Sequence, residues 1–115
     1  IEPVNVSGHI FENKNVDYGM RTGLAGEVKV VDKRSILIQS DGLTKNEVLV
    51  ITTNKDGLSP QMIKALSNGE AHVEGRAQVL SVQKLEDRTG VNFDNTALKK
   101  YEGKTIVVAE TIDLK

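Results

Sequence analysis

Glu70-Ala71-His72-Val73-Glu74-Gly75-Arg76-Ala77-Gln78-Val79 alternates strictly: Ala71, Val73, Gly75, Ala77 and Val79 fall on one face, and Glu70, His72, Glu74, Arg76 and Gln78 on the other. A period of two over ten residues is the pattern of a half-buried β-strand. It predicts Val73, Ala77 and Val79 buried and Glu74 and Arg76 exposed. Gly75 stands mid-strand on the inward face, where a missing side chain allows a sharp bend or a close backbone crossing, as at the corner of a small barrel.

Working outward, the residues before this strand read as a helix. Ser59 is placed to cap, Pro60 suits the first helical turn, Met62, Ile63 and Leu66 form an apolar stripe, and Asn68-Gly69 supplies the stop. Further upstream stand three strand signals at short spacing, at 26–31, 36–39 and 47–53, joined by turns at 32–34 and 40–46, the second holding Asp41-Gly42. Val48-Leu49-Val50-Ile51 is apolar enough to be covered on both faces. Residues 3–11 read as an N-terminal strand or extended arm, and residues 12–26, with Gly19, Gly23 and Gly26 and no sustained period, as loop with a short helical or extended piece around Tyr18 to Arg21.

Downstream, residues 81–89 predict a short helix ended by Gly90, residues 94–101 a second ended by Gly103, and residues 105–112 a closing strand. The expected fold is mainly β: a five-stranded OB-like barrel with a helix between strands 3 and 4 and a helical insertion between strands 4 and 5. Residues 1–23 form the arm and loop, and residues 24–115 the barrel, one domain overall.

Composition agrees with this. The 115 residues are 38% hydrophobic and only 3% aromatic, so one core must be built from Val, Ile, Leu and Ala, whose β-branched members favour strands. Fifteen basic and sixteen acidic residues are interspersed, which argues against a basic footprint for nucleic acid or an anionic membrane. The absence of cysteine removes disulfides and thiolate metal sites, and no apolar run reaches the roughly 18 residues of a transmembrane helix. The first residue is Ile1 rather than Met, which fits a processed mature chain, a proteolytic fragment or a trimmed chain, and the expectation taken is an exported chain whose leader is absent.

Several motifs are similar to those of a loosely defined set of uncharacterised exported bacterial proteins with an OB-like domain. They are Gly26-Glu27-Val28 at a strand start, Glu47-Val48-Leu49-Val50, Val73-Glu74-Gly75, the helix beginning near Leu80, and Tyr101-Glu102-Gly103-Lys104 with Val107-Val108-Ala109. The resemblance implies export and an OB-like barrel, with no activity attached. The functional expectation is a non-catalytic binding or assembly module of the bacterial cell envelope, on the periplasmic or extracellular side, with another envelope protein as the partner.

No chemistry-bearing motif is complete. Gly103-Lys104-Thr105 lacks the earlier glycine of a phosphate loop and opens a strand rather than a helix. A calcium loop built on Asp56-Gly57 would start at Thr52 and end at Ile63, without acidic ligands at either end. Glu86, Asp87 and Asp94 read as a solvated face, His9 and His72 as surface imidazoles, and no serine sits in a nucleophile elbow. Asn5-Val6-Ser7 matches a glycosylation acceptor. The expectation is therefore no enzyme, no cofactor and no metal, with an enzyme of unknown type kept as the remaining alternative.

Two sets of candidate binding residues remain. Residues 80–103 carry Val82, Leu85, Val91, Phe93, Leu98 and Tyr101, more apolar side chains than an exposed loop needs. This segment either packs over the barrel or offers Phe93, Leu98 and Tyr101 to a partner, and packing is the favoured outcome. As an alternative, a single-stranded nucleic-acid-binding OB module would use Tyr18, Lys33 and Arg34, because stacking aromatics are missing from the second and third strands, 36–39 and 47–53.

Overall fold

The structure is a computed structural model that describes residues 9–12, 16, 18–40, 47–53, 56–67, 69–93 and 95–114. Among the described residues six strands form one sheet: β1 (His9–Glu12), β2 (Met20–Asp32), β3 (Ser35–Ser40), β4 (Glu47–Ile51), β5 (Glu70–Val79) and β6 (Thr105–Leu114). The order β6-β4-β3-β2-β5 returns to β6, so five strands close into a barrel, while β1 pairs with β6 as an addition. All pairings are antiparallel except β4–β6, which is parallel.

Among the described residues the helices are α1 (Pro60–Ser67), α2 (Val82–Thr89) and α3 (Asn95–Leu98), the last running into a 3₁₀ turn at Lys99–Tyr101. Because β1 joins the sheet ahead of the barrel, the helices fall between the fourth and fifth and between the fifth and sixth of six strands. That differs from the expected positions between strands 3 and 4 and between strands 4 and 5.

The piece expected around Tyr18 to Arg21 is extended rather than helical from Met20 onward, and the strand runs on through residues expected to be loop. β2 begins at Met20, and Met20 to Gly26 pair residue by residue with β5, from Met20↔Ala77 to Gly26↔Ala71. The expected strand start at Pro3, the Asn5 acceptor, the Asp41-Gly42 turn, Asn68 and Asp94 lie outside the described residues.

Alternate residues of the wall serve two cores. Inside the barrel Ile36, Ile38, Val50, Ala71, Val73, Val107, Ala109 and Ile112 pack together with Leu58 and Leu66, which α1 and its approach bring to one end. On the outer face Leu37, Leu49, Ile51, Ile106 and Val108 are covered by Leu80, Val82, Leu85, Val91, Phe93 and Leu98 from the segment between β5 and β6. β4 is thus apolar on both sides because both of its faces are buried.

Local chemistry fixes the helices. Ser59 Oγ accepts from Met62 N at 3.2 Å and opens α1. Ser81 Oγ accepts from Lys84 N at 3.4 Å and opens α2, and Gly90, left-handed at φ 73°, closes it. The segment 80–104 is pinned at its base, where Leu80 N donates to Lys104 O at 2.8 Å and Gly103 N to Leu80 O at 2.9 Å. Glu86 Oε2 accepts from Phe93 N at 2.9 Å and draws the chain after α2 back across the barrel.

Gly75 behaves as its position predicts. The β5–β6 register shifts between Glu74 and Gly75, and a Cβ on Gly75 would fall onto the Val108 carbonyl oxygen and lie 2.9 Å from Ala109 Cα. No side chain fits a backbone crossing that close. The inward pattern of β5 fails at its end, however: Ala77 is half-buried and Val79 is 63% exposed. Arg76, expected to be exposed, is partly buried, with Nη1 donating to Gly19 O at 3.0 Å and Nε 3.7 Å from Glu110 Oε2.

Candidate functional site

The exposure of Val79 marks a place rather than an isolated residue. Among the described residues, the exposed large hydrophobic side chains are Tyr18 (57%), Met20 (76%) and Val79 (63%). Met20 pairs with Ala77, two residues before Val79, so all three gather where β2 begins and β5 ends. This is the end of the barrel away from α1, since α1 leads directly into the start of β5, where Val28 N donates to Gly69 O. One end is plugged by a helix; at the other, Met20 and Val79 keep the inward parity of their strands but meet solvent.

A groove of about 650 Å³ opens there between the β5 terminus and α2, lined by Tyr18, Gly19, Ala77, Gln78, Val79, Leu80, Ser81, Lys84, Leu85 and Arg88. Helical spacing supplies one wall: Ser81, Lys84, Leu85 and Arg88 are positions i, i+3, i+4 and i+7 and share a face. Tyr18 supplies the opposite side. Its carbonyl accepts from Gln78 Nε2 at 3.2 Å, and the Arg88 guanidinium lies over its ring, 4.3 Å from the centroid. An aromatic plane beneath an arginine helps to hold the guanidinium at the rim of the groove.

A second groove, of about 570 Å³, crosses the outer side of β2 and β3 and is lined by Lys29, Val30, Val31, Leu37, Thr96, Lys99, Lys100 and Tyr101. Lys100 Nζ stands 5.3 Å from the Tyr101 ring centroid. Lys100 and Tyr101 also border a depression with Gln39, Glu47 and Lys104.

The residues singled out in the sequence are distributed as follows. Phe93 and Leu98 are buried against the outer face of the barrel, so neither offers surface to a partner, and Tyr101 is half-buried beside them. Lys33 and Arg34 form the β2–β3 turn, with Asp32 Oδ1 accepting from Arg34 N at 2.8 Å and from Ser35 Oγ at 2.7 Å. That turn is fastened to the approach of α1, where Leu58 N donates to Lys33 O and Thr52 N to Arg34 O. Tyr18 precedes β2 and Lys33 follows it, so the thirteen-residue strand separates them. His72 Nε2 lies 3.8 Å from Glu74 Oε2, both exposed. Among the described residues, no group of three His, Asp or Glu side chains is placed to hold a metal ion, and no helix is long and apolar enough to cross a membrane.

Sequence reasoning missed Val79, Lys84 and Arg88. Val79 looked like core because the alternation of β5 does not reveal where the barrel stops. The Ser81, Lys84, Leu85, Arg88 stripe was legible in the spacing. No protein-family model, curated protein or solved structure matches the chain.

Proposed function

We propose that the protein is a non-catalytic binding module built on an OB-like barrel and that it works in the bacterial cell envelope as an exported chain. The OB-like reading is supported by a barrel order of β2-β3-β4-β6-β5 closing on β2, a parallel β4–β6 pair, and a helix entering between β4 and β5. In such barrels ligands usually meet the outer face of the second and third barrel strands. Here the outward side chains of those strands, Leu37, Leu49 and Ile51, lie under the segment 80–101. The carrying observation for binding is the other end of the barrel, where Tyr18, Met20 and Val79 are exposed together beside a groove.

A photo-crosslinking residue at Met20, expressed in bacterial cells, should give adducts of defined mass that a crosslinker at Glu74 does not. Equal labelling from both positions would sink the reading. Envelope residence is tested separately by fractionation, where recovery in the cytosol alone would contradict it.

A second reading, a module for single-stranded nucleic acid, is favoured by Lys29, Lys99 and Lys100 around Tyr101. Titration of a labelled oligonucleotide at low salt should then show binding that weakens as salt rises and is lost in Lys99→Glu/Lys100→Glu. Salt-independent or absent binding removes it.

A further inference from the structure

We propose that the open edge of β2 pairs antiparallel with the same edge of a second copy of this chain, about a twofold axis at Thr22. β3 ends at Ser40, opposite Gly26, whereas β5 runs on to Ala77, opposite Met20. Met20 to Ala25 are therefore laddered on one side only, and among the described residues nothing takes up the backbone groups on their other side. This edge lies across β2 from β5 and from the groove beside α2. It goes beyond the binding-module reading, and Met20 is common to both surfaces.

An unpaired strand edge is a template for another strand unless something blocks it. Met20-Arg21-Thr22-Gly23-Leu24-Ala25 holds no proline and no lysine, and its register against β5 runs without a bulge. Gly23 and Ala25 are exposed and carry no bulk, and Met20 is 76% exposed.

The side chains set the register. Met20, Thr22 and Leu24 lie opposite inward residues of β5, while Arg21, Gly23 and Ala25 point outward. Residues opposed across a ladder share a face, so the twofold axis passes through a residue rather than between two. With Thr22 on the axis, Met20 stands opposite Leu24 of the second copy and Arg21 opposite its Gly23. With Gly23 on the axis, Met20 would stand opposite Gly26, whose edge Ser40 already takes.

Charge favours the first register. Glu110 is shared by two arginines, Oε1 lying 3.5 Å from Arg21 Nη2 and Oε2 3.7 Å from Arg76 Nε, and the Arg21 side chain stays 75% exposed. Above Gly23 the surface is bare: a Cβ there would lie 3.6 Å from His72 Nε2 and 4.0 Å from Glu74 Cγ. Glu74 stands opposite Gly23 on β5, and its side chain is 63% exposed. Arg21 of the second copy, laid over Gly23, thus reaches the Glu74 carboxylate, and the twofold repeats the contact. A peptide of unrelated sequence would not carry this match. Pairing covers both open edges, so association stops at two.

Five paired residues on each side make a small interface, of the transient class below about 1,200 Å². Sedimentation velocity on the intact protein should show monomer giving way to dimer, and to nothing larger, as the concentration rises to about 1 mM. In a mixture of isotope-labelled and unlabelled chains, NMR contacts should join the Met20 methyl of one copy to the Leu24 methyls of the other. Glu74→Arg sets like charges together and should raise the dissociation constant at least about tenfold, and Arg21→Glu/Glu74→Arg should restore it. Gly23→Lys, whose Cβ meets only ordinary contacts, should keep its melting temperature and abolish the dimer, so it carries the test if Glu74→Arg does not fold. A monomer at every concentration, a dimer in which Met20 does not meet Leu24, a double swap that folds without restoring association, or a dimer that survives Gly23→Lys would each overturn the proposal. Met20 crosslinks at twice the chain mass belong to this pairing and those of other masses to the binding module, so either reading can fail without the other.

Discussion

Ala71 and Val79 occupy the same face of one strand, yet Ala71 is fully buried and Val79 is 63% exposed. At the start of β5 the inward residues meet α1, whose Leu66 is fully buried with Ala71 and Val73. At its far end Met20 and Val79 have no such cover. Parity along a strand determines which face a side chain takes, but the neighbouring elements decide whether that face is core. The closed end adds to the core, and the open end does not.

This contrast can be broken by mutation. The largest effect belongs to the segment that walls the open end: Phe93→Ala removes a buried ring from the outer core and should cost about 3–5 kcal/mol in denaturant unfolding. An unchanged melt would mean the segment is not fixed on the barrel and the groove has no constant shape. Leu66→Ala at the closed end should cost about 3 kcal/mol, and a neutral result would deny that α1 plugs the barrel. Gly75→Val, between the two ends, should cost about 2 kcal/mol or more, because its Cβ meets backbone rather than a side chain that could move. Ser81→Ala deletes the α2 cap and should cost about 1 kcal/mol. Val79→Thr should stay within about 0.5 kcal/mol of the parent; a loss like that of Leu66→Ala would erase the difference between the ends.

Much of the closed end could be read from the residues. The Ser59-Pro60 start of α1, the alternation of β5 through Gly75 and the doubly apolar β4 all describe local patterns that the tertiary structure keeps. The first half of β2 was hidden because Arg21, Thr22, Gly23 and Ala25 carry little apolar signal, and their strand geometry comes from pairing with β5. The open-end groove was hidden for a related reason. Tyr18, Val79 and Arg88 belong to three separate segments, and only closure of the barrel brings them together. Phe93 and Leu98 illustrate the reverse case, since an apolar run in a long connection is compatible with either burial or display, and α2 with its Glu86 contact to Phe93 N decides for burial.

The pairing of β6 has a further consequence, for the order in which the chain can fold. This strand joins β5 along its length, β4 through Val50↔Val107 and Ile51↔Val108, and β1 through Phe11↔Ile112. Each of those contacts except the β5 pairing spans a long stretch of sequence, and the β1 pairing spans nearly all of it. On a ribosome, or emerging from any narrow channel, β2, β3 and β4 can form their meander early, but the ring cannot close until residues 105–114 are free. Contacts so distant in sequence make closure slow compared with the local hairpins. During that interval the edges of β4 and β5 that β6 will cover stay unpaired, which is when a neighbouring chain could capture them.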